Sequence, residues 1–437
     1  MSIAPAIRER HQAPVAVLAG LAAMTAALGL WLAREPPPPA LAAAAVGGLA
    51  CVVTLALTRY ELTIALGFLL LGVVRFEPAP SDALLSVVIA LAIAGGRFEL
   101  RRAPASMVAI LGVLLALNLA SLTVAVDLGA ALRFLGITLY LGTLALWAAI
   151  ELQRRDRMRI VIGAYVAGAV LFAALAVLGL FVAFPLRDVV AGEDAVRAQG
   201  LFKDPNVFAP FLIPAALILL EETVRPRLLG LRRPLSAAGF VVLALGVLFA
   251  YSRAAWLNFA VALLVMLAVL LLRPGTGRAA VAAVCLVLVA GAGAGAAVVL
   301  TGSGGFLDER AQVQAYDTAR FGAQRAGLDL AAGHPVGVGP GQFEVVQPVS
   351  AHSIYVRVLA EQGVLGLAAI MALLGGTLVL ACRNVLQGHD AHGVGSAALL
   401  GAWCGILVNS AFVDTLHWRH LWLVAALVWV GAVRRRR

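Results

Sequence analysis

The sequence predicts an all-α fold, a polytopic helical bundle in a membrane, and three observations carry that prediction. Hydrophobic residues make up 62% of the 437 and charged residues 13%, whereas soluble domains sit nearer half and a quarter. Mean hydropathy is +0.97. Apolar runs of about 20 residues, the length a helix needs to cross a bilayer, recur along the chain, and helices satisfy their own backbone there. No polar segment is long enough for a second domain, so residues 1–437 are expected to form a single membrane domain.

In order, spans are expected at 13–33, 40–57, 62–76, 82–96, 104–125, 129–151, 159–184, 206–222, 236–251, 254–272, 279–301, 353–382, 393–413 and 419–433, a bundle of about 12–14 transmembrane helices. Arg8 and Arg10 precede the first run and no small-residue cleavage site follows it, so an uncleaved first helix is expected rather than a signal peptide. Pro36 to Pro39 and Glu77-Pro-Ala-Pro80 form stiff corners. The Ala/Gly run at 290–295 has two readings, close helix packing or compositional bias.

The net charge is +10, but its placement argues against nucleic acid. Lys203 is the only lysine, and most arginines fall in short connections on alternate sides of the apolar runs. That is the positive-inside pattern, with no aromatic-interleaved basic patch of the kind that holds single strands. It places both termini in the cytoplasm, which requires an even number of spans. The two longest polar connections, 185–205 and 302–352, then share the outer face. The four cysteines, Cys51, Cys285, Cys382 and Cys404, lie in or at the ends of apolar runs without a CxxC pair, against a disulfide framework or structural zinc.

Three constellations on the outer side carry candidate chemistry. In the first outer loop, Asp204 can cap the next helix with Pro205 at its first position. The positive helix end, Arg197 and Lys203 together make an anion site, or the two cations anchor to headgroups. The corner Tyr251-Ser-Arg253 lies between two long spans, where a guanidinium fork suits phosphate or snorkels to the interface. In the main outer loop, Arg320, Gln324 and Leu328 share one face of an expected amphipathic helix on the membrane surface. A glycine-rich turn, 333–341, follows as exposed backbone. Next, His352, Tyr355 and Leu359 share a face, and Arg357 can pair with Glu361 at i, i+4. His352 at a helix start is disfavoured as imidazolium, leaving a neutral base near pH 7. His334, followed by Pro335, reads as structural. The His417-Trp-Arg-His420 corner either lines the same cavity or anchors the interface, and anchoring is preferred.

Arg197…Gly200…Asp204-Pro-Asn206, Ser252-Arg253, Gly337-Val-Gly-Pro-Gly341, and His352-Ser-Ile-Tyr355 with Glu361-Gln-Gly363…Gly366 resemble, in order and spacing, the bacterial O-antigen ligase and O-antigen polymerase superfamily. The resemblance covers roughly residues 190–370. It implies a metal-independent, cofactor-free, inverting glycosyltransferase in the bacterial cytoplasmic membrane, with its active site facing the periplasm. An undecaprenyl-pyrophosphate-linked glycan would be the donor. A hydroxyl of lipid A core or of growing polysaccharide would be the acceptor. His352 would be the general base. Arg197 and Arg253 would hold the pyrophosphate, with Lys203, Asn206, Arg320 and Tyr355 as further substrate contacts. Two other readings remain open. A polyprenyl-monophosphate sugar transferase would use an outward carboxylate such as Asp82 or Asp127, and an exporter of lipid-linked oligosaccharide would line a mid-membrane cavity with arginines.

Overall fold

The computed structural model describes residues 39–192, 196–300, 302, 304–305, 308, 312 and 315–433; the expected span at 13–33 and the C-terminal arginines 434–437 lie outside them. The described residues are helical: α1 (Pro39–Thr58), α2 (Tyr60–Leu69), α3 (Pro80–Ala94), α4 (Ala105–Ser121), α5 (Leu128–Glu151), α6 (Arg155–Phe181), the short α7 (Arg187–Ala191), α8 (Pro205–Val224), α9 (Arg233–Phe249), α10 (Arg253–Leu272), α11 (Gly277–Leu300), α12 (Ala315–Gly333), α13 (Phe343–Val346), α14 (Ile354–Gln387), α15 (Ser396–Asn409) and α16 (Arg419–Ala432). Among the described residues, seven helices are long and apolar enough to cross a membrane and six more are shorter apolar helices. Together they occupy the other thirteen expected spans, and the chain is an integral membrane protein.

The helices run antiparallel through short connections, so polar segments collect at two ends. At one end lie the connection before α8, the α9–α10 corner, α12, α13 and the start of α14. The arginine-rich connections at 97–102, 154–159, 225–233 and 273–278 lie at the other. Leu119, Leu264, Leu288 and Val379 are exposed on the bundle's outside, as lipid-facing residues are. Among the described residues, nothing lies within 4 Å of a Cβ built on Gly291, Gly293 or Gly295, so these glycines serve no close helix contact there.

At the centre is α8, apolar all round and buried along nearly its whole length. Asp204 caps it, its Oδ1 accepting from the Asn206 N–H at 2.8 Å, with Pro205 at the first helical position. Lipid tails are as apolar as leucine, so burial gives helices little reason to associate in a bilayer; close packing and polar contacts must do it. On α15, Gly401 and Gly405 are four residues apart and meet α10 backbone to backbone: a Cβ on Gly401 would lie 2.4 Å from the Ala262 carbonyl. Between α4 and α14, Asn118 and Gln362 exchange two amide hydrogen bonds, each 3.0 Å.

Helix α14 breaks nine residues from its start. Gly363 has φ 68° and ψ −168°, outside the helical region, and only glycine adopts it readily. The glycine-rich turn packs into the break. Val338 N–H donates to the Ala360 carbonyl at 3.0 Å and Gly339 N–H to the Glu361 carbonyl at 2.9 Å. A Cβ on Gly363 would meet the Pro335 carbonyl at 2.1 Å, and one on Gly337 the Glu361 carbonyl at 2.3 Å. The expectation of an exposed turn over 333–341 is met at 333–336 and corrected at 337–340, which are buried. Gly337 and Gly363 permit the interlocking of two backbones.

Candidate active site

The connection 196–204 and the α9–α10 corner hold each other in place. Helix α9 ends with exposed carbonyls carrying partial negative charge, and Arg197 uses them. Its Nε donates to the Ala250 carbonyl at 2.9 Å and its Nη2 to the Tyr251 carbonyl at 3.3 Å and to Asn206 Oδ1 at 3.4 Å. Tyr251 turns the chain with φ 49°, an uncommon conformation for a bulky side chain. Ser252 then caps α10 through Ala255 N–H, so Arg253 stands in the first turn of α10. Its Nη1 donates to the Gln312 carbonyl at 2.8 Å, and its Nη2 to the Tyr316 hydroxyl at 3.1 Å and to Asp317 Oδ1 at 2.5 Å.

Helix α12 supplies the facing wall. Tyr316, Arg320 and Gln324 succeed one another at intervals of four, one face of a helix. The Arg253 and Arg320 guanidinium carbons lie 5.7 and 5.1 Å from the Tyr316 ring centroid, within cation–π range. Arg197, Asn206, Tyr251, Arg253, Tyr316, Asp317, Arg320 and Gln324, with apolar Leu257, Phe321 and Phe412, line a cavity of about 460 Å³. Three arginines thus converge on a space of drug-sized ligand volume.

His352 is not among the cavity's walls but is bonded to one of them. Gln324 Nε2 donates to the His352 carbonyl at 3.3 Å and to the Ala411 carbonyl at 3.1 Å. The residue has φ 46°, a strained conformation of the kind stored at functional sites. Its ring is half-buried, and its pKa lies below the ordinary 6.5, first because of burial and then because of the Arg320 charge, partly offset by Asp204 and Asp414. The sequence-based direction stands, while the leading cause is burial.

Behind His352 stands Arg357, buried at 5% exposure. It forms ion pairs with Glu361 at 3.0 Å, with Asp414 at 2.6 Å and with Glu344, and Nη2 donates to Ser350 Oγ at 3.1 Å. Glu361 in turn accepts from Gly341 N–H at 2.9 Å and Phe343 N–H at 3.1 Å. Burial raises the Glu344 carboxyl, but the hydrogen bond and charge of Arg357 outweigh it and hold the group below its ordinary value. The expected Arg357–Glu361 pair is present and is the middle of a larger knot that fixes both flanks of His352.

Of the residues picked out in the sequence, Arg197, Asn206, Arg253 and Arg320 share the cavity, and His352 stands outside its walls, bonded to Gln324. Two lie elsewhere. Lys203 Nζ donates to Glu77 Oε1 at 2.5 Å and is not among the cavity walls; this bond and the adjacent charges of Lys203 and Arg133 lower the Glu77 pKa. The Tyr355 hydroxyl donates to the Leu407 carbonyl at 2.9 Å, joining α14 to α15. His334 Nδ1 is 3.0 Å from the Leu330 carbonyl at the exposed end of α12. The His417–His420 corner anchors no interface. His417 is enclosed against Phe134, with ring centroids 4.4 Å apart, and its Nε2 is 3.0 Å from the Thr138 hydroxyl; burial pushes its pKa down to about 4. His420 is buried, and Arg419 forms a two-point ion pair with Asp82. Asp127 caps α5 through Ala130 N–H at 3.0 Å. Tyr316 and Asp317 were missed, although Tyr316 extends the Arg320–Gln324 stripe one turn back and was legible there. Asp414, remote in sequence, gave no such signal.

The fold and this site define a class: a polytopic membrane protein with a basic cavity at one end of its bundle and a histidine beside it. Residues 238–371 match the family model described as O-antigen ligase, and over that segment the match supports the resemblance to the O-antigen ligase and polymerase superfamily. The matched segment contains Arg253, Arg320, His352 and Tyr355; Arg197, Lys203 and Asn206 precede it. No curated protein matches the chain.

Proposed function

We propose that the chain is a membrane glycosyltransferase that moves a glycan from undecaprenyl pyrophosphate to a hydroxyl of lipid A core or of growing polysaccharide, at the outer face of the cytoplasmic membrane. The observation that carries this reading is the convergence of Arg197, Arg253 and Arg320 on one cavity, one wall of which, Gln324, is bonded to a histidine with a lowered pKa. His352 takes the proton of the acceptor hydroxyl. The acceptor oxygen then attacks the anomeric carbon, and the bond from that carbon to the pyrophosphate oxygen breaks with inversion. The electron pair stays on the leaving pyrophosphate, whose charge the arginines offset. Asp82 and Asp127 are engaged by Arg419 and by the α5 N-terminus, which leaves the carboxylate-base alternative less support.

The test is reconstitution of purified protein with an undecaprenyl-pyrophosphate oligosaccharide, resolved by gel. A product ladder without added acceptor identifies a polymerase. A single shift that requires lipid A core identifies a ligase. No product with either would overturn the reading in favour of transport.

A further inference from the structure

Among the described residues, one carboxylate lines the cavity, and the transfer step gives it no part. Asp317 lies in the first turn of α12, its side chain 11% exposed, with Oδ1 2.5 Å from Arg253 Nη2. The same guanidinium also holds the Tyr316 hydroxyl and the Gln312 carbonyl. The N–H groups that Arg253 offers toward α12 are therefore engaged by residues 312–317. A carboxylate and a phosphate edge present a guanidinium with the same kind of anionic oxygen pair, so the two anions compete for one fork.

We propose that Asp317 is an internal competitor for the donor's phosphate, holding Arg253 in the free enzyme, yielding it to the donor and reclaiming it to expel the product. This rests on the assignment of the cavity to a pyrophosphate. With the pair formed, Arg253 is neutralised and the first turn of α12 is pinned against the α9–α10 corner. Donor phosphate takes the guanidinium and frees that turn. Transfer leaves a pyrophosphate monoester, whose terminal phosphate gains an ionisation with a pKa of about 6 that the diester lacked. Three arginines alone would retain this more anionic product. The returning carboxylate opposes that retention. A group that merely positioned Arg253 for the donor would have the opposite effect on affinity.

The experiment uses full-length protein in nanodiscs, as wild type, Asp317→Asn and Asp317→Glu. Undecaprenyl pyrophosphate is the binding probe and the glycan-loaded lipid the substrate. Asp317→Asn should bind the probe about tenfold more tightly and show both a lower KM for donor and a lower kcat, because release becomes slow. Amide exchange over residues 315–320 should be faster in the ligand-free Asn variant than in wild type, and wild type should acquire the same exchange when the probe is added. Asp317→Glu keeps a competing carboxylate and should bind as wild type does. Weaker binding or a higher KM in the Asn variant would overturn the competition and make Asp317 a positioning residue, and so would unchanged binding with unchanged exchange. Failure of the wild type itself to bind the probe would instead sink the pyrophosphate assignment, and the proposal with it.

Discussion

His352 joins a strained backbone, a half-buried ring and a nearby guanidinium, and each bears on its proton. With its pKa below 6.5, the ring is neutral at pH 7 and accepts a proton; it becomes cationic only as the pH falls through that lowered value. Transfer rates should therefore hold through neutral pH and drop on the acid side at a pH below 6.5, in a profile of kcat/KM. His352→Ala should abolish transfer while leaving expression and donor binding intact; normal transfer by that variant would remove the base assignment. Arg253→Lys supplies one point charge where a planar fork stood. Its kcat/KM should fall by about tenfold or more, and unchanged kinetics would count against phosphate at that position. Arg357 was legible as half of an i, i+4 pair, but its other partners lie 13 residues back at Glu344 and far ahead at Asp414, spacings that no local pattern encodes. Lys203 shows the converse failure. A cation three residues before Asn206 looked like part of one anion site, yet the cap at Asp204 turns the chain so that the lysine meets Glu77 instead.

Helices were the readiest feature to read, because in lipid an apolar run of the right length has few other conformations open to it. What periodicity did not carry is how they meet. The α10–α15 seam depends on Gly401 and Gly405, whose spacing is visible in GAWCG but whose partner is not. A Cβ on Gly405 would lie 2.2 Å from Asn258 Oδ1. Gly405→Val should separate these helices and lower the melting temperature in detergent by several degrees, and an unchanged melting curve would argue that the seam contributes little. At Gly363, alanine would bear the cost of a left-handed backbone, about 1–3 kcal/mol, and clash with the Pro335 carbonyl. Gly363→Ala should reduce both stability and transfer, whereas Gly375→Ala, with open space around its Cβ position, should be silent in the same assays.

At the scale of the molecule, the arginine-rich connections and the cavity occupy opposite ends, which by the positive-inside rule supports the proposal that the cavity faces outward. The single lysine makes this measurable. Lys203 is 54% exposed at the cavity end, so a membrane-impermeant amine reagent should modify it in spheroplasts and leave it untouched in inside-out vesicles; the reverse pattern would invert the topology. The way 334–350 is clamped has one more result. Gly339 abuts Ala125, Gly341 abuts Ala130 and Phe134, and the same turn fills the break in α14, so the stretch carrying the histidine is wedged by helices that come long before residue 238. Excising 238–371, or splitting the gene at that border, would yield pieces without a working centre. The family signature covers only part of the residues that hold this site. It is no self-sufficient module, and any chimera must bring α4, α5 and the 196–204 connection from the same parent.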